Sequence, residues 1–138
     1  MTEIFTASWR TNFDPNAYAA ISISRSAPRG RRGYRVYPAL APGPWFRETG
    51  GVEAWVARYE REVLSVLDAE AVVEDLAEMA GGRAAVLLCW EPPPPNPDWC
   101  HRALVSRWLF ETAGWVVPEL DHEGFGFGRK HPKYPKAK

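Results

Sequence analysis

An α/β three-layer domain, with a mostly parallel sheet of about four to five strands flanked by helices, is what this sequence predicts, and three observations carry the prediction. Short β-branched runs alternate with segments of helical periodicity, the pattern that builds strand-crossover-strand units. Ala84 to Trp90 is apolar without alternation, as a central parallel strand buried on both faces must be. The 138 residues are enough for one core and not two, so 1–138 is read as a single domain.

Glu3 to Ser8 (EIFTAS) opens the chain as a short strand, with Ser8 at its C-terminal end. Asp14-Pro15 has the form of a helix cap followed by proline at the first helical position, which predicts a short helix through Ala20. Ala20 to Ser24 (AISIS) is a second strand that delivers Ser24 and Arg25 at its end. From Ser26 to Gly51, Pro28, Gly30, Gly33, Pro38, Pro42, Gly43 and Pro44 leave no room for a long regular element. Tyr34, Tyr37, Leu40, Trp45 and Phe46 nevertheless predict a loop that packs down as a lid or wall over the sheet edge.

Helical periodicity returns at Gly51 to Leu67, where Val52, Val56, Tyr59, Val63 and Val66 form one stripe. Asp68 can cap a second helix, Ala69 to Ala80, which Gly81-Gly82 would stop. After the central strand, Pro92 to Pro95 should form a stiff polyproline spacer. Cys100 to Gly114 is then helical, with Asp98 as candidate cap, and Trp115 to Glu119 (WVVPE) is a last strand that Pro118 confines to an edge or an end. Gly124, Gly126 and Gly128 alternate with Phe125, Phe127 and Arg129 in a segment with no assignable element, and residues 129–138 read as a flexible basic tail.

The formal net charge is zero, which gives the molecule as a whole no bias towards nucleic acid or membrane. The charge is segregated, however: Arg25, Arg29, Arg31, Arg32 and Arg35 occur together without an acid, and Arg129, Lys130, Lys133, Lys136 and Lys138 crowd the end. No apolar run is long enough to span a membrane and no leader pattern opens the chain, so a cytoplasmic location is expected. In a reducing compartment Cys89 and Cys100 are expected to be thiols, ligands or small buried hydrophobes in preference to a structural disulfide.

Arg83 to Leu109 concentrates the chemistry. Cys89 and Glu91 lie at a strand end, and Cys100-His101-Arg102 opens a helix; open α/β sheets bind ligands at that place. A cysteine at a helix N-terminus beside an imidazole or guanidinium has a depressed pKa and makes a good nucleophile. His101 lies three and four residues before Leu104 and Val105 and so should face inward. The bland alternatives are packing roles for Cys89 and Cys100, and surface roles for Arg25 and Arg102. A zinc site could use Cys89, Cys100 and His101 with Glu91 or His122 as a fourth ligand. Adjacent helical residues diverge by about a hundred degrees and there is no close CxxC or HxxxH pair, which weighs against it. His122 and His131 carry no local pattern and default to exposed loop positions.

LLCWE followed by CHR and an apolar helix resembles the signature of the domain of unknown function 488 family. IFTASW, ISISRSAP and YPALAP resemble that family's early strand, its serine-arginine strand end and its proline-bearing motif, so the resemblance runs from about Ile4 to Glu119. It implies an α/β fold and no particular reaction, and it marks Ser24, Arg25, Cys89, Glu91, Cys100, His101, Arg102 and Glu119. The departure is the stretch between Glu91 and Cys100, which holds five prolines and looks longer or stiffer than the family's.

The leading expectation is a crevice for a small anionic ligand, nucleotide-like or phosphorylated, with thiol-dependent chemistry. Cys89, Glu91, Cys100 and His101 would be the catalytic groups, and Ser8, Ser24, Arg25, Arg102 and Glu119 the ligand-binding ones. One alternative is a nucleic-acid-binding module using the arginine loop and lysine tail, with Trp9, Trp45 or Tyr34 to stack on bases. Another is a structural zinc site without catalysis. No cofactor is expected, because GFGFGR lacks the strand-to-helix context of a phosphate loop.

Overall fold

A computed structural model describes residues 2–47, 50–90, 100–122, 131, 133 and 134. Four parallel strands, β1 (Ile4–Ser8), β2 (Tyr18–Ser22), β3 (Tyr34–Val36) and β4 (Ala84–Cys89), form one sheet in the order β1-β4-β2-β3. Three helices flank it: α1 (Val52–Glu62), α2 (Ala69–Ala80) and α3 (His101–Ala113). This is the α/β class that the alternation of patterns predicts. Glu91, the proline arm, Asp98 and the Gly124–Arg129 segment lie outside the described residues.

β4 is central because it can be: Ala85, Val86, Leu87, Leu88 and Cys89 are wholly buried, so both faces of this strand are covered. Its register sets Ser8 of β1 beside Cys89 and Ser22 of β2 beside Leu88. Alternation along each strand separates two cores. Ile4, Ile21, Ile23 and Leu87 pack with Tyr59, Val72, Leu76, Leu104 and Leu109 of the helices. On the opposite face, Ala7, Val86 and Leu88 are covered by Trp9 and Leu120, with Phe13 packed against them. Helices, sheet and this aromatic cover make the three layers.

Four elements differ from the sequence expectation. The helix after Asp14 is a turn: the Asp14 carboxylate accepts from Asn16 N at 2.9 Å, its carbonyl accepts from Tyr18 N at 3.0 Å, and Tyr18 already enters the sheet. An Asx turn thus competes with helix nucleation, and sheet pairing wins. The proline-rich loop packs down as expected, with Leu40 and Trp45 buried, but it also contributes the edge strand β3. The first long helix ends at Glu62 and continues as a 3-10 turn, Leu64–Val66. Trp115 to Glu119 makes a single parallel bridge, Glu119 to Thr6, in place of a strand. Thr6 N donates to Pro118 O at 3.0 Å and Leu120 N to Thr6 O at 2.8 Å. Pro118 has no N–H of its own to extend the ladder.

α2 follows its sequence signals. Asp68 caps it by accepting from Glu70 N at 3.1 Å, and Gly81 closes it at φ 61°, in the left-handed region where a Cβ is disfavoured. No helix among the described residues is long and apolar enough to cross a membrane.

Candidate functional site

Parallel pairing brings the C-terminal ends of β1, β4 and β2 to one side of the sheet, and the start of α3 sits above them. Cys89 ends β4, wholly buried. Cys100 is the N-cap of α3, with extended backbone (φ −152°, ψ 151°) and no side-chain capping bond. Its backbone N donates to Lys133 O at 3.0 Å, which ties the helix start to the C-terminal stretch. Cys89 and Cys100, expected as thiols, ligands or small buried residues, stand with their sulfurs against one another and their Cα atoms 7.1 Å apart, a wider spacing than disulfides usually span. The separation of 11 positions along the chain, mostly proline arm, hides the proximity that the sheet and helix impose.

His101 is buried, as its spacing from Leu104 and Val105 predicts. Its Nε2 lies 2.7 Å from the Ile23 carbonyl, which can only accept, so Nε2 carries the proton. The lone pair is therefore on Nδ1, and Nδ1 faces Cys100 Sγ at 3.9 Å. Burial lowers the His101 pKa to about 4, which keeps the ring neutral near pH 7. Tyr59 meets the ring edge-on at 5.4 Å between centroids and fixes its plane. Cys100 Sγ also lies 2.8 Å from the Trp90 carbonyl, to which it can donate when it is a thiol.

Arg102, expected to face a ligand, is wholly buried and grips Glu119: Nε reaches Oε1 at 3.0 Å and Nη2 reaches Oε2 at 2.8 Å. Its Nη1 donates to Cys89 Sγ at 3.4 Å. Behind Glu119 the network continues. Thr6 Oγ1 donates to Glu119 Oε1 at 2.7 Å and must therefore accept from His131 Nε2 at 2.8 Å, while His131 Nδ1 accepts from Lys133 N at 3.1 Å. Burial would raise the Glu119 pKa, but the hydrogen bonds and charge of Arg102, with the Thr6 hydroxyl, outweigh it and hold the carboxylate below its usual range. Burial lowers the His131 pKa to about 4.

His131 is thus a correction, since the expectation of an exposed loop histidine fails at 1% exposure. Neither His131 nor Thr6 carries a sequence signal, because Thr6 lies more than a hundred residues along the chain from both Glu119 and His131. His122 is exposed, as expected. Ser24 is buried on the opposite face, where its hydroxyl accepts from Trp9 Nε1 at 3.1 Å and donates to Ser26 O at 2.7 Å. Ser8 accepts from Arg10 N at 3.1 Å. Arg25 is exposed, donates from Nη1 to Pro42 O at 3.1 Å and covers the Phe46 ring. Arg31 donates to Trp9 O at 3.0 Å and covers the Trp9 ring.

One donor from each of Cys89, Cys100 and His101 lies within 4.8 Å of the other two, a set able to coordinate a metal. The helical divergence expected of adjacent Cys100 and His101 does not arise, because Cys100 precedes the helix with extended backbone. His122 stands outside this set. Two shallow clefts, of about 210 and 200 Å³, lie elsewhere: one between Leu64 and Trp108, the other beside Glu3 and Arg83. Together, the paired sulfurs, the imidazole and the Arg102–Glu119 pair make a site suited to thiol or anion chemistry. No curated protein and no solved structure matches the chain. A family model does: residues 4–113, from β1 to the end of α3, match one described as the active DUF488-N3 subclade.

Proposed function

The chain belongs to the active DUF488-N3 subclade, and on that premise we propose that the cluster of Cys89, Cys100 and His101 is a thiol-dependent reaction centre acting on a small anionic, nucleotide-like or phosphorylated ligand. The observation that carries this reading is the tautomer of His101. Its Nε2–H is spent on Ile23 O, so the basic Nδ1 is turned to Cys100 Sγ. In the dithiol state that geometry lets the neutral imidazole accept a hydrogen bond from the Cys100 thiol and aims its sulfur as the nucleophile. Cys89 is the neighbouring thiol, its sulfur against that of Cys100, and Arg102 Nη1 donates to it. Glu91 belongs to the same proposal by its place two residues beyond Cys89.

The anion would sit at the start of α3, where no side chain caps the first turn, with Arg25, three residues beyond β2, as an exposed cation and Ser8 at the end of β1, while Ser24 stays on the other face. Arg102 and Glu119 neutralise one another and serve the sulfur from behind. The description of the subclade as active supports catalysis over a purely structural role.

The test uses reduced protein and iodoacetamide. Alkylation of Cys100 should be faster in wild type than in His101→Ala, and inorganic phosphate or nucleoside monophosphates should protect it. If inorganic phosphate and nucleoside monophosphates give Cys100→Ser, Cys89→Ser and His101→Ala the same thermal shifts as wild type, and Cys100 of His101→Ala alkylates as fast as that of wild type, the reading is lost.

A further inference from the structure

We propose that the same three side chains form a site for a thiophilic divalent cation, Zn²⁺ foremost, that is open in the dithiol state and closed when Cys89 and Cys100 are oxidised to a disulfide. The inference goes beyond the thiol reading, since it requires no small-molecule ligand, and it stands on four observations about the cluster.

The first is distance. Tetrahedral zinc with Zn–S bonds of about 2.3 Å and Zn–N bonds of about 2.0–2.1 Å holds its donor atoms roughly 3.5–3.8 Å apart. His101 Nδ1 is already 3.9 Å from Cys100 Sγ, and all three donors lie within 4.8 Å of one another. Only the sulfurs need to part. The second is the second shell: histidines that bind metals donate their other ring N–H to a carbonyl or carboxylate, which fixes tautomer and plane. His101 does so to Ile23 O at 2.7 Å, and the Tyr59 ring holds the imidazole.

The third is charge. Two thiolates and a neutral imidazole balance a divalent cation, and Arg102, already paired with Glu119, adds an N–H to Cys89 Sγ at 3.4 Å. The fourth is burial. Cys89, Cys100 and His101 are between 0% and 7% exposed, so the donors do not compete with bulk water for the ion. Three protein ligands leave a fourth position, the arrangement of exchangeable rather than closed zinc sites.

The two occupants exclude each other by electron count. Reduction of the disulfide by an external dithiol places two electrons and two protons on the sulfurs, and the dithiol leaves as its own disulfide. Binding Zn²⁺ to the resulting thiols then releases the two protons to solvent.

Cobalt reports the site directly. Protein reduced with a phosphine, desalted without oxygen and titrated with Co²⁺ should take up one equivalent, with thiolate-to-cobalt charge-transfer absorption and the intense visible bands of four-coordinate cobalt; Zn²⁺ should bleach them. The disulfide form of the same wild-type chain should give neither, a comparison that needs no variant to fold. His101→Ala should weaken binding by more than the roughly 10–100-fold that loss of an outer-shell partner costs. Reduced wild type that binds no Co²⁺, or the double variant C89S/C100S keeping the bands, would overturn the inference. Reduced protein whose Cys100 alkylates in a His101-dependent way but takes no Co²⁺ loses this inference and keeps the thiol reading.

Discussion

Arg102 is a guanidinium with no exposed surface, and its bidentate pairing with Glu119 is what makes that burial tolerable. Glu119→Gln keeps the shape and removes the charge, leaving a buried cation without its counter-ion. Urea unfolding at pH 7 should then show a loss of about 3–5 kcal/mol; a loss under about 1 kcal/mol would mean that the pair is dispensable. His131 adds a pH dependence whose sign is fixed. Its pKa falls from the ordinary 6.5 to about 4 on folding, so the unfolded chain binds the extra proton first. The stabilisation is whole above about pH 6.5 and is lost as pH falls towards 4, the same direction as the lowered Glu119 carboxyl. His131→Gln preserves a donor for Thr6 and an acceptor for Lys133 N but does not titrate. Its urea midpoint should fall less than that of wild type between pH 7 and pH 5, and equal slopes would place the acid sensitivity elsewhere. Cys89, Cys100, His101, Arg102 and Glu119 stand out in the sequence by residue type and position. Their pairing does not, because Arg102 finds Glu119 across 17 positions and His131 finds Thr6 across 125.

Elements whose ends are set by local chemistry are the ones legible in the chain. α2 is bounded by a carboxylate that caps it and a glycine at positive φ that stops it, and both signals are in the sequence. Asp68→Ala should accordingly cost about 0.5–2 kcal/mol, measured by thermal or urea unfolding, with β4 and the cysteine pair unaffected. Asp14 shows the other case. Its carboxylate satisfies the same kind of backbone donor, but the residues that follow pair with β4, and the segment becomes a turn into β2. β3 escapes notice because three edge residues among prolines and glycines carry no period, and only pairing with β2 makes them a strand. The start of α3 moves for a similar reason: Cys100 is drawn out of helical geometry by its backbone bond to Lys133. That shift of one residue converts two diverging side chains into converging ones, and it makes the site.

At the scale of the whole molecule the site doubles as the clasp between the sheet and α3. Cys89 belongs to the central strand, Cys100 to the helix start, and a disulfide formed between them would close a loop spanning 11 positions. Closing a loop of that length in the unfolded chain is worth roughly 3 kcal/mol in chain entropy. For a domain of this size that corresponds to a melting temperature about 6–12 °C lower after reduction. The double variant C89S/C100S should melt near the reduced wild type and ignore reductant altogether. If reduction leaves the melting temperature unchanged, the Arg102–Glu119 pair, the Cys100 N to Lys133 O bond and the apolar packing of Leu104, Val105 and Leu109 already hold α3 to the sheet unaided. A reduced protein that melts low and recovers when Zn²⁺ is added would place the loss in the cross-link itself, because the cation restores a connection between the same strand end and the same helix start. The sheet fixes Cys89, the helix fixes His101, and the stability of the domain then depends on what joins the two sulfurs between them.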